Sequence, residues 1–290
     1  MRHHKLSLAV LVLLTASFAP RLAAQRDARR ERRSRDDEDR GTWLERCRHE
    51  NGSWREDRAT FCEERSMGWS ARSGGALNVD ASPNGGVSVS GWDRDSIDVT
   101  VRIQTQADVA DAARQIAQQV RIAHDGDRLN AEGPSSRRHE SWSVSYVIRA
   151  PRHTNLDLNT VNGPLAASDV TGTLRLTAVN GPLSLDGLGG DVHAHAQNGP
   201  LHVSLQGSRW DGAGLDAETQ NGPLTVEVPD GYNAAFETGT INGPMEIDFP
   251  VTVQGRIGTG AQRHLTTTLG SGGPPVRVVT TNGPAVIRKS

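Results

Sequence analysis

Hydrophobic and polar residues alternate strictly along much of the second half of the chain. Upstream of each of six Asn-Gly-Pro sites, the residues six and four positions before the Asn are nearly all apolar, whereas those five and three positions before it are nearly all polar. The apolar set returns three and five positions after each Asn. Alternation with a period of two is typical of a β-strand with one buried face. Each repeat therefore predicts a strand, a corner, a second strand and a second turn.

Each corner combines residue types with distinct backbone roles. Asn and Gly tolerate positive φ, and Pro fixes φ at the start of a strand, where a missing N–H does least harm. The corners are separated by 18, 18, 23, 21 and 40 residues, so the last step predicts one coil that has lost its Asn-Gly-Pro. The predicted turn residues are Asn162, Gly163, Asn180, Gly181, Asn198, Gly199, Asn221, Gly222, Asn242, Gly243, Asn282 and Gly283.

A single coil of this kind cannot bury its own apolar face, but stacked coils share one continuous narrow core. A period near 20 residues lies in the range of solenoid repeats. We therefore predict an all-β fold, a single-stranded β-solenoid (β-helix) of stacked coils of about 18–23 residues each. Stacking would also set Asn on Asn along one edge.

In the segment before the repeat, the apolar residues have a different spacing. Val109, Ala112, Ala113, Ile116 and Val120 are spaced as one apolar helical face, which predicts one helix inserted near residues 108–120 and no other in the mature chain. Strand patterns with period two flank this helix on both sides. Asn84-Gly85-Gly86 and Asp125-Gly126 predict turns between strands.

The N-terminus is typical of a secretory signal. Arg2 and Lys5 precede the apolar run from Leu6 to Ala19, and Ala23-Ala24 supplies small residues for cleavage. We predict a signal peptide at residues 1–24, with an uncleaved membrane anchor as the alternative. No later apolar run could span a membrane, so we expect no transmembrane helix in the mature chain.

The mature chain divides into three predicted parts. Residues 25–40 are almost entirely charged and predict a disordered linker. Residues 41–68 hold both cysteines, Cys47 and Cys62, which we expect to form a disulfide because an exported chain meets an oxidising compartment. Residues 69–290 form the predicted solenoid domain, with regular Asn-Gly-Pro coils over 154–290.

The repeated corner is similar to a known motif. The segments TVNGPL, AVNGPL, AQNGPL, TQNGPL, TINGPM and TTNGPA, after a signal peptide and a strand-helix-strand lead-in, resemble the bacterial putative-adhesin family over about residues 75–290. The resemblance implies an extracytoplasmic β-solenoid domain, and the family name implies surface attachment by analogy only. This chain has Pro after each Gly, where the family more commonly has an acidic or polar residue.

The sequence contains one weak candidate for a metal-binding site. His193 and His195 share a strand face, and Asp216 and Glu218 occupy the same columns one coil later, so these four side chains are a candidate metal site. The alternative is a solvated charge ladder of Asp157, Arg175, His193 and Asp216. No catalytic triad, phosphate-binding loop or zinc-protease motif is present in the sequence.

These patterns predict a non-enzymatic exported protein that acts as an adhesion, binding or scaffold module of the cell envelope. Its location would be periplasmic, outer-surface or extracellular, and its partner an envelope polymer or surface protein. We expect no cofactor, and no nucleic acid as partner because 32 Lys and Arg nearly balance 34 Asp and Glu. The alternatives are a polysaccharide-active β-helix enzyme and a self-assembling envelope fibre, although basic residues at the C-terminal coil would discourage open-ended stacking.

Overall fold

The computed structural model describes residues 42–50, 58–72, 74–248 and 263–290. The predicted signal peptide and charged linker lie outside these residues. The chain divides into two units, residues 1–49 and 50–290. None of the helices in the described ranges is long and apolar enough to cross a bilayer.

The described part opens with a helix, α1 (Trp43–Glu50), which the hydrophobic pattern did not predict. The backbone N–H of Thr42 donates to Oε2 of Glu45 at 2.7 Å, and the N–H of Glu45 donates to Oγ1 of Thr42 at 3.3 Å. This reciprocal pair is a capping box, which satisfies N–H groups that the first helical turn leaves free. The expectation of a single helix was therefore wrong, because this short helix is marked in the sequence by its Thr-x-x-Glu cap and not by a long apolar face.

The second unit is built almost entirely of strands, which confirms the all-β class. One helix, α2 (Ala110–Gln119), corresponds to the helix predicted near 108–120. The strands are β1 (Ala59–Ser70), β2 (Ala76–Asp80), β3 (Val87–Trp92), β4 (Ser96–Ala107), β5 (Arg121–Asp125), β6 (Arg128–Glu132), β7 (Ser141–Pro151), β8 (Asn155–Asn162), β9 (Leu165–Ser168), β10 (Thr171–Asn180), β11 (Leu183–Asp186), β12 (Gly189–Asn198), β13 (Leu201–Ser204), β14 (Gly214–Asn221), β15 (Leu224–Val228), β16 (Ala234–Asn242), β17 (Met245–Asp248), β18 (His264–Leu269), β19 (Pro275–Asn282) and β20 (Ala285–Lys289).

The strands form two mixed sheets of ten strands each, and neither sheet closes on itself. Sheet 1 has the order β1-β4-β7-β3-β9-β11-β13-β15-β20-β17. Sheet 2 has the order β18-β16-β19-β14-β12-β10-β8-β2-β6-β5. From β8 to β17 the chain passes from sheet 2 to sheet 1 at every Asn-Gly-Pro and returns at the next turn.

Parallel pairing aligns equivalent residues of successive repeats. Leu174 of β10 is in register with Leu156 of β8 on one side and with Val192 of β12 on the other. The inward residues of both sheets belong to one buried cluster, which is the core. Burial follows the predicted alternation: Leu176 is 1% exposed, whereas its neighbour Arg175 is exposed. Burial of such a leucine stabilises the fold by about 2 kcal/mol.

The order of the last coils differs from the prediction. β19 lies between β14 and β16, and β20 lies between β15 and β17. The last repeat is thus inserted between two earlier ones, and no further coil separates Asn221 from Asn282, whose strands pair directly. The coil without Asn-Gly-Pro was predicted between Asn242 and Asn282, and residues 249–262 of that segment lie outside the described ranges. The placement of the basic C-terminal residues at an exposed end of the stack was wrong, because β20 is an inner strand of sheet 1.

The strands before the repeat, β2 and β3, belong to the same stack as the repeat strands. Asn84 forms a bridge with Asn162, so the predicted Asn84-Gly85-Gly86 turn is a further corner of the stack. On α2, Ala113, Ile116 and Ala117 are buried, but Val109 is 60% exposed at the N-cap, contrary to the predicted face. Arg65 of β1 donates to the carbonyl oxygens of Ala117 and Val120 at the C-terminal end of this helix.

Neither cysteine is free, and Cys47 and Cys62 are disulfide-bonded. The predicted disulfide is therefore confirmed.

Candidate functional site

The six predicted corner asparagines and Asn84 form one continuous ladder of side chains. Nδ2 of Asn180 donates to Oδ1 of Asn162 at 3.0 Å, and Nδ2 of Asn198 donates to Oδ1 of Asn180 at 3.0 Å. Every described step repeats this contact in the same direction, at distances from 2.8 to 3.1 Å. In stacking order the ladder runs Asn84, Asn162, Asn180, Asn198, Asn221, Asn282 and Asn242.

The corner glycines are required by close packing as well as by backbone conformation. Positive φ, expected from the sequence for Asn and Gly, occurs at Gly163, Gly181 and Gly283, with values of 159°, 157° and 152°, but at none of the corner Asn residues. A Cβ atom on Gly181 would lie 2.2 Å from the carbonyl oxygen of Gly163, and one on Gly199 would lie 2.1 Å from that of Gly181. Real Cβ atoms do not approach this closely, so each corner glycine makes room for the coil beside it.

A buried threonine two positions before the Asn forms a hydrogen bond with the corner of the neighbouring coil. Oγ1 of Thr219 donates to the carbonyl oxygen of Gly199 at 2.9 Å, and Oγ1 of Thr280 donates to that of Gly222 at 2.9 Å. Both side chains are buried, so the hydrogen bond removes the cost of burying a hydroxyl. Ala178 and Ala196 occupy this position in two other coils. The Asn-Gly-Pro residues therefore have a structural role that leaves few of their polar groups for a ligand.

Polar side chains of neighbouring strands form straight rows on the outer face of sheet 2. The strand register places Arg175 beside Asp157 and His193, and it places Asp216 beside His193. The predicted ladder therefore lies in one row, which the intercalated strand β19 extends. Its full order is Asp157, Arg175, His193, Asp216, Arg277 and Glu237, and the adjacent row is Asn159, Thr177, His195, Glu218, Val279 and Gly239.

Arg277 is the most strongly paired residue of these rows. Its Nη1 lies 2.6 Å from Oδ1 of Asp216 and 3.6 Å from Oε2 of Glu218, and its Nε lies 3.5 Å from Oε1 of Glu237. Burial lowers the pKa of the Arg277 guanidinium. The hydrogen bond to Asp216 and the charges of the three nearby carboxylates raise this pKa by more than burial lowers it, so the net shift is upward. The guanidinium thus links the inserted strand β19 to both of its neighbours, β14 and β16.

The four residues of the candidate metal site lie on adjacent strands, but they do not converge on one point, because two of them pair with each other and the other two pair with residues outside the set. Nδ1 of His195 is 3.1 Å from Oε1 of Glu218, whereas Nε2 of His193 is 3.3 Å from Oδ1 of Asp191. Asp216 pairs with Arg277. Within the described ranges, no three or more His, Cys, Asp or Glu side chains are arranged to hold a metal ion.

Arg277 and Glu237 belong to this surface but could not be assigned to it from the sequence. Both sit at the outward position five residues before a corner Asn, so their strand face was predicted correctly. Their neighbours were not, because every coil has the same register and any stacking order satisfies it. The 40-residue step before the last corner is the one indication in the sequence that this part of the stack is irregular.

Proteins similar to this chain were found only among solved structures. No family model matches the chain, and no curated protein matches it. Among solved structures, a putative cell adhesion protein from Clostridium sporogenes has 10% identity and a TM-score of 0.37, with 79% of this chain and 100% of that chain covered. A putative adhesin from Bacteroides fragilis has 10% identity and a TM-score of 0.31, with 79% and 97% covered. A putative lipid binding protein from Parabacteroides distasonis has 12% identity and a TM-score of 0.31, with 79% and 96% covered. Similarity at this level carries no information about ligand or activity.

Proposed function

We propose that this protein is an exported, non-enzymatic β-solenoid that acts at the cell envelope as an adhesion, binding or scaffold module. The observation that carries this function is the pair of straight, in-register rows on the outer face of sheet 2. Each strand adds one outward residue to each row, at the inter-strand spacing of about 4.8 Å. The surface is therefore periodic, as an extended polymer is.

The path of the chain between the sheets supports the solenoid. β8 to β15 alternate between sheet 2 and sheet 1, and each strand pairs in parallel with the equivalent strand of the next repeat. A coil of this kind contacts mainly its neighbours, so its stability comes from stacking. Such a stack is a rigid support for a long, flat binding face.

Export is supported by the disulfide and by the N-terminal sequence. Disulfides persist in oxidising compartments and are rare in the cytosol. The basic n-region, the short apolar run and the small residues at Ala23-Ala24 are those of a cleaved signal peptide. The location that fits both is periplasmic, outer-surface or extracellular.

A polymer with repeated polar groups is the partner that suits these rows. It can engage several coils at once, and linked weak contacts add up to a much higher avidity than any one of them. Arg175 is the cation of the row best placed to begin such contact. Its side chain is exposed, and within the described part of the chain it forms no ion pair, unlike Arg277.

Co-sedimentation of the exported protein with purified insoluble envelope polymers, such as peptidoglycan, tests this function. We expect Arg175→Ala to weaken binding about tenfold, which corresponds to loss of one charge-assisted hydrogen bond. His202→Ala is the matched control, because His202 points outward from sheet 1. Equal binding by both variants, or no binding by the unmodified protein, would exclude the outer face of sheet 2 as the binding surface.

A further inference from the structure

A cleft of about 880 Å³ opens on the side of the second unit opposite the Asn-Gly-Pro corners. It lies among the connections from β1 to β2, from β3 to β4 and from β7 to β8, beside the start of β10. Small-molecule sites typically enclose roughly 300–1,000 Å³. The cleft is therefore large enough for a ligand, and it is separate from the rows on sheet 2.

Part of the cleft wall is apolar. Trp92 and Pro151, both partly exposed, contribute an aromatic ring and an aliphatic ring to the lining. Leu77 and Ile97 also border the cleft but belong to the buried core, with only 1% and 3% of their surface exposed. Sites for small ligands combine apolar and aromatic walls with a few polar groups in this way.

Trp92 is held firmly at the end of β3. Its Nε1 donates to the carbonyl oxygen of Ser96 at 2.8 Å. The guanidinium carbons of Arg94 and Arg149 lie 4.9 Å and 5.9 Å from the centre of its ring, within the range of cation–π attraction. A ring fixed before the ligand arrives loses little entropy on binding.

A second contact fixes the connections that frame the cleft. Nε of Arg152 lies 2.7 Å from Oδ1 of Asp93, and its Nη1 lies 3.8 Å from Oδ1 of Asp169. The hydrogen bond to Asp93 raises the pKa of the Arg152 guanidinium, which therefore stays charged. Because Asp93 follows β3 and Arg152 follows β7, this ion pair ties two sides of the cleft together.

The charges that line the cleft balance. Three arginines face three aspartates, namely Arg72, Arg94, Arg152, Asp93, Asp95 and Asp127. A ligand with a net charge would meet as much repulsion as attraction here. Hydroxyl groups, in contrast, can accept hydrogen bonds from a guanidinium and donate them to a carboxylate. Arg94 and Asp95 are exposed, and neither forms an ion pair with any described residue, so both can bind a ligand.

We propose that this cleft binds an uncharged, hydroxyl-rich ligand, a neutral mono- or oligosaccharide. Trp92 and Pro151 contact the apolar face of a sugar ring, and Arg94 and Asp95 form hydrogen bonds with its hydroxyl groups. This site goes beyond the polymer-binding face of sheet 2, so binding at either place can be lost without the other.

Isothermal titration calorimetry with the full exported protein tests the site. The probes are chitotriose as the neutral saccharide, the trimer of glucosamine as its cationic analogue and trigalacturonate as an anionic trimer. We expect chitotriose to bind and both charged trimers to bind at least about tenfold more weakly. Binding of a charged trimer as tight as that of chitotriose, or no binding of chitotriose at millimolar concentrations, would overturn the proposal.

Variants locate the binding. Asp95→Asn keeps the size of the side chain and Arg94→Gln replaces the guanidinium with a shorter neutral amide, and each should weaken chitotriose binding about tenfold. Arg175→Gln changes an exposed arginine outside the cleft and should leave the affinity unchanged. Thermal melts of all three variants verify that each is folded. Chitotriose binding that survives both cleft substitutions, or that is lost equally in Arg175→Gln, would place the saccharide elsewhere.

Discussion

The two edges of the stack, where the chain passes between its sheets, are built by opposite rules. At the Asn-Gly-Pro edge, all six connections contain two residues, Gly and Pro, at 163–164, 181–182, 199–200, 222–223, 243–244 and 283–284. At the opposite edge, the connections between β9 and β16 differ in length, and they span 169–170, 187–188, 205–213 and 229–233. The Asn-Gly-Pro connections are therefore uniform in length, although the corner at Asn84 lies in a longer connection, 81–86, whereas the connections at the opposite edge vary.

Steric contact explains the difference. At the Asn-Gly-Pro edge, a Cβ atom on Gly181 would meet the neighbouring coil's carbonyl oxygen at 2.2 Å, so neither a side chain nor an extra residue has space. At the opposite edge the space varies from place to place: a Cβ atom on Gly207 or Gly231 would meet nothing within 4 Å, whereas one on Gly212 would meet the backbone of Gly190 at 2.4 Å. Close contact therefore recurs at every Asn-Gly-Pro corner, whereas the opposite edge also has open positions that can carry loops such as those that frame the saccharide cleft.

The largest contrast should come from the same substitution at the two edges. We expect Gly181→Ala to destabilise the fold by at least about 3 kcal/mol, because two backbones must move apart. Gly207→Ala should cost about 1 kcal/mol, since it only places a side chain at a positive φ of 75° in open space. Denaturant unfolding of both variants measures the two costs. Similar costs would mean that the corner glycines serve turn geometry rather than close stacking.

The contrast between the edges also marks what the sequence could and could not predict. Alternation along Leu174, Arg175 and Leu176 was sufficient to assign inward and outward residues, because it reflects burial of one strand face. The position of β19 between β14 and β16 was not predictable, since each coil offers the same register to any neighbour. The cleft was not predictable either, because it is assembled from connections far apart in the chain, such as those holding Asp93 and Arg152.

The Asn ladder gives the next largest effect. Asn180→Asp keeps the oxygen that accepts from Asn198 but loses the donor to Asn162, so we expect a cost of about 1 kcal/mol at neutral pH. Changing Asn162, Asn180 and Asn198 to Asp together should cost more than three times as much, because adjacent carboxylates repel at this spacing. Thermal melts of the single and triple variants measure the difference.

Acid provides the control for the ladder. Below the ordinary carboxyl pKa of about 4, the introduced aspartates are neutral and can donate again, so the triple variant should recover much of its lost stability relative to the unmodified protein. Strictly additive costs at neutral pH, with no recovery in acid, would show that the corner side chains do not stack.

The buried threonine of the corner should have a smaller effect. Thr280→Val keeps the shape of the side chain but removes the hydrogen bond to the carbonyl oxygen of Gly222, and we expect a cost of about 1–2 kcal/mol. Thr225→Val is the matched control, because Thr225 faces outward on sheet 1 and should change stability by less than about 0.5 kcal/mol. Chemical denaturation measures both, and an equal cost would remove the proposed role of threonine in the corner.

The smallest effect is expected from lengthening the variable edge. Insertion of Gly-Ser between Gly207 and Ser208 extends the connection 205–213, at a point where both residues are exposed and the Cβ position is open. Loop-closure entropy rises slowly with length, so the cost should be a few tenths of a kcal/mol. The same insertion between Gly181 and Pro182 would push apart corners that already touch, and we expect it to prevent cooperative folding. A melting curve for each insertion decides the matter. If the corner tolerated the insertion as well as the loop does, the uniform length of the six corners would owe nothing to stacking, and the distinction between a structural edge and a variable one would be lost.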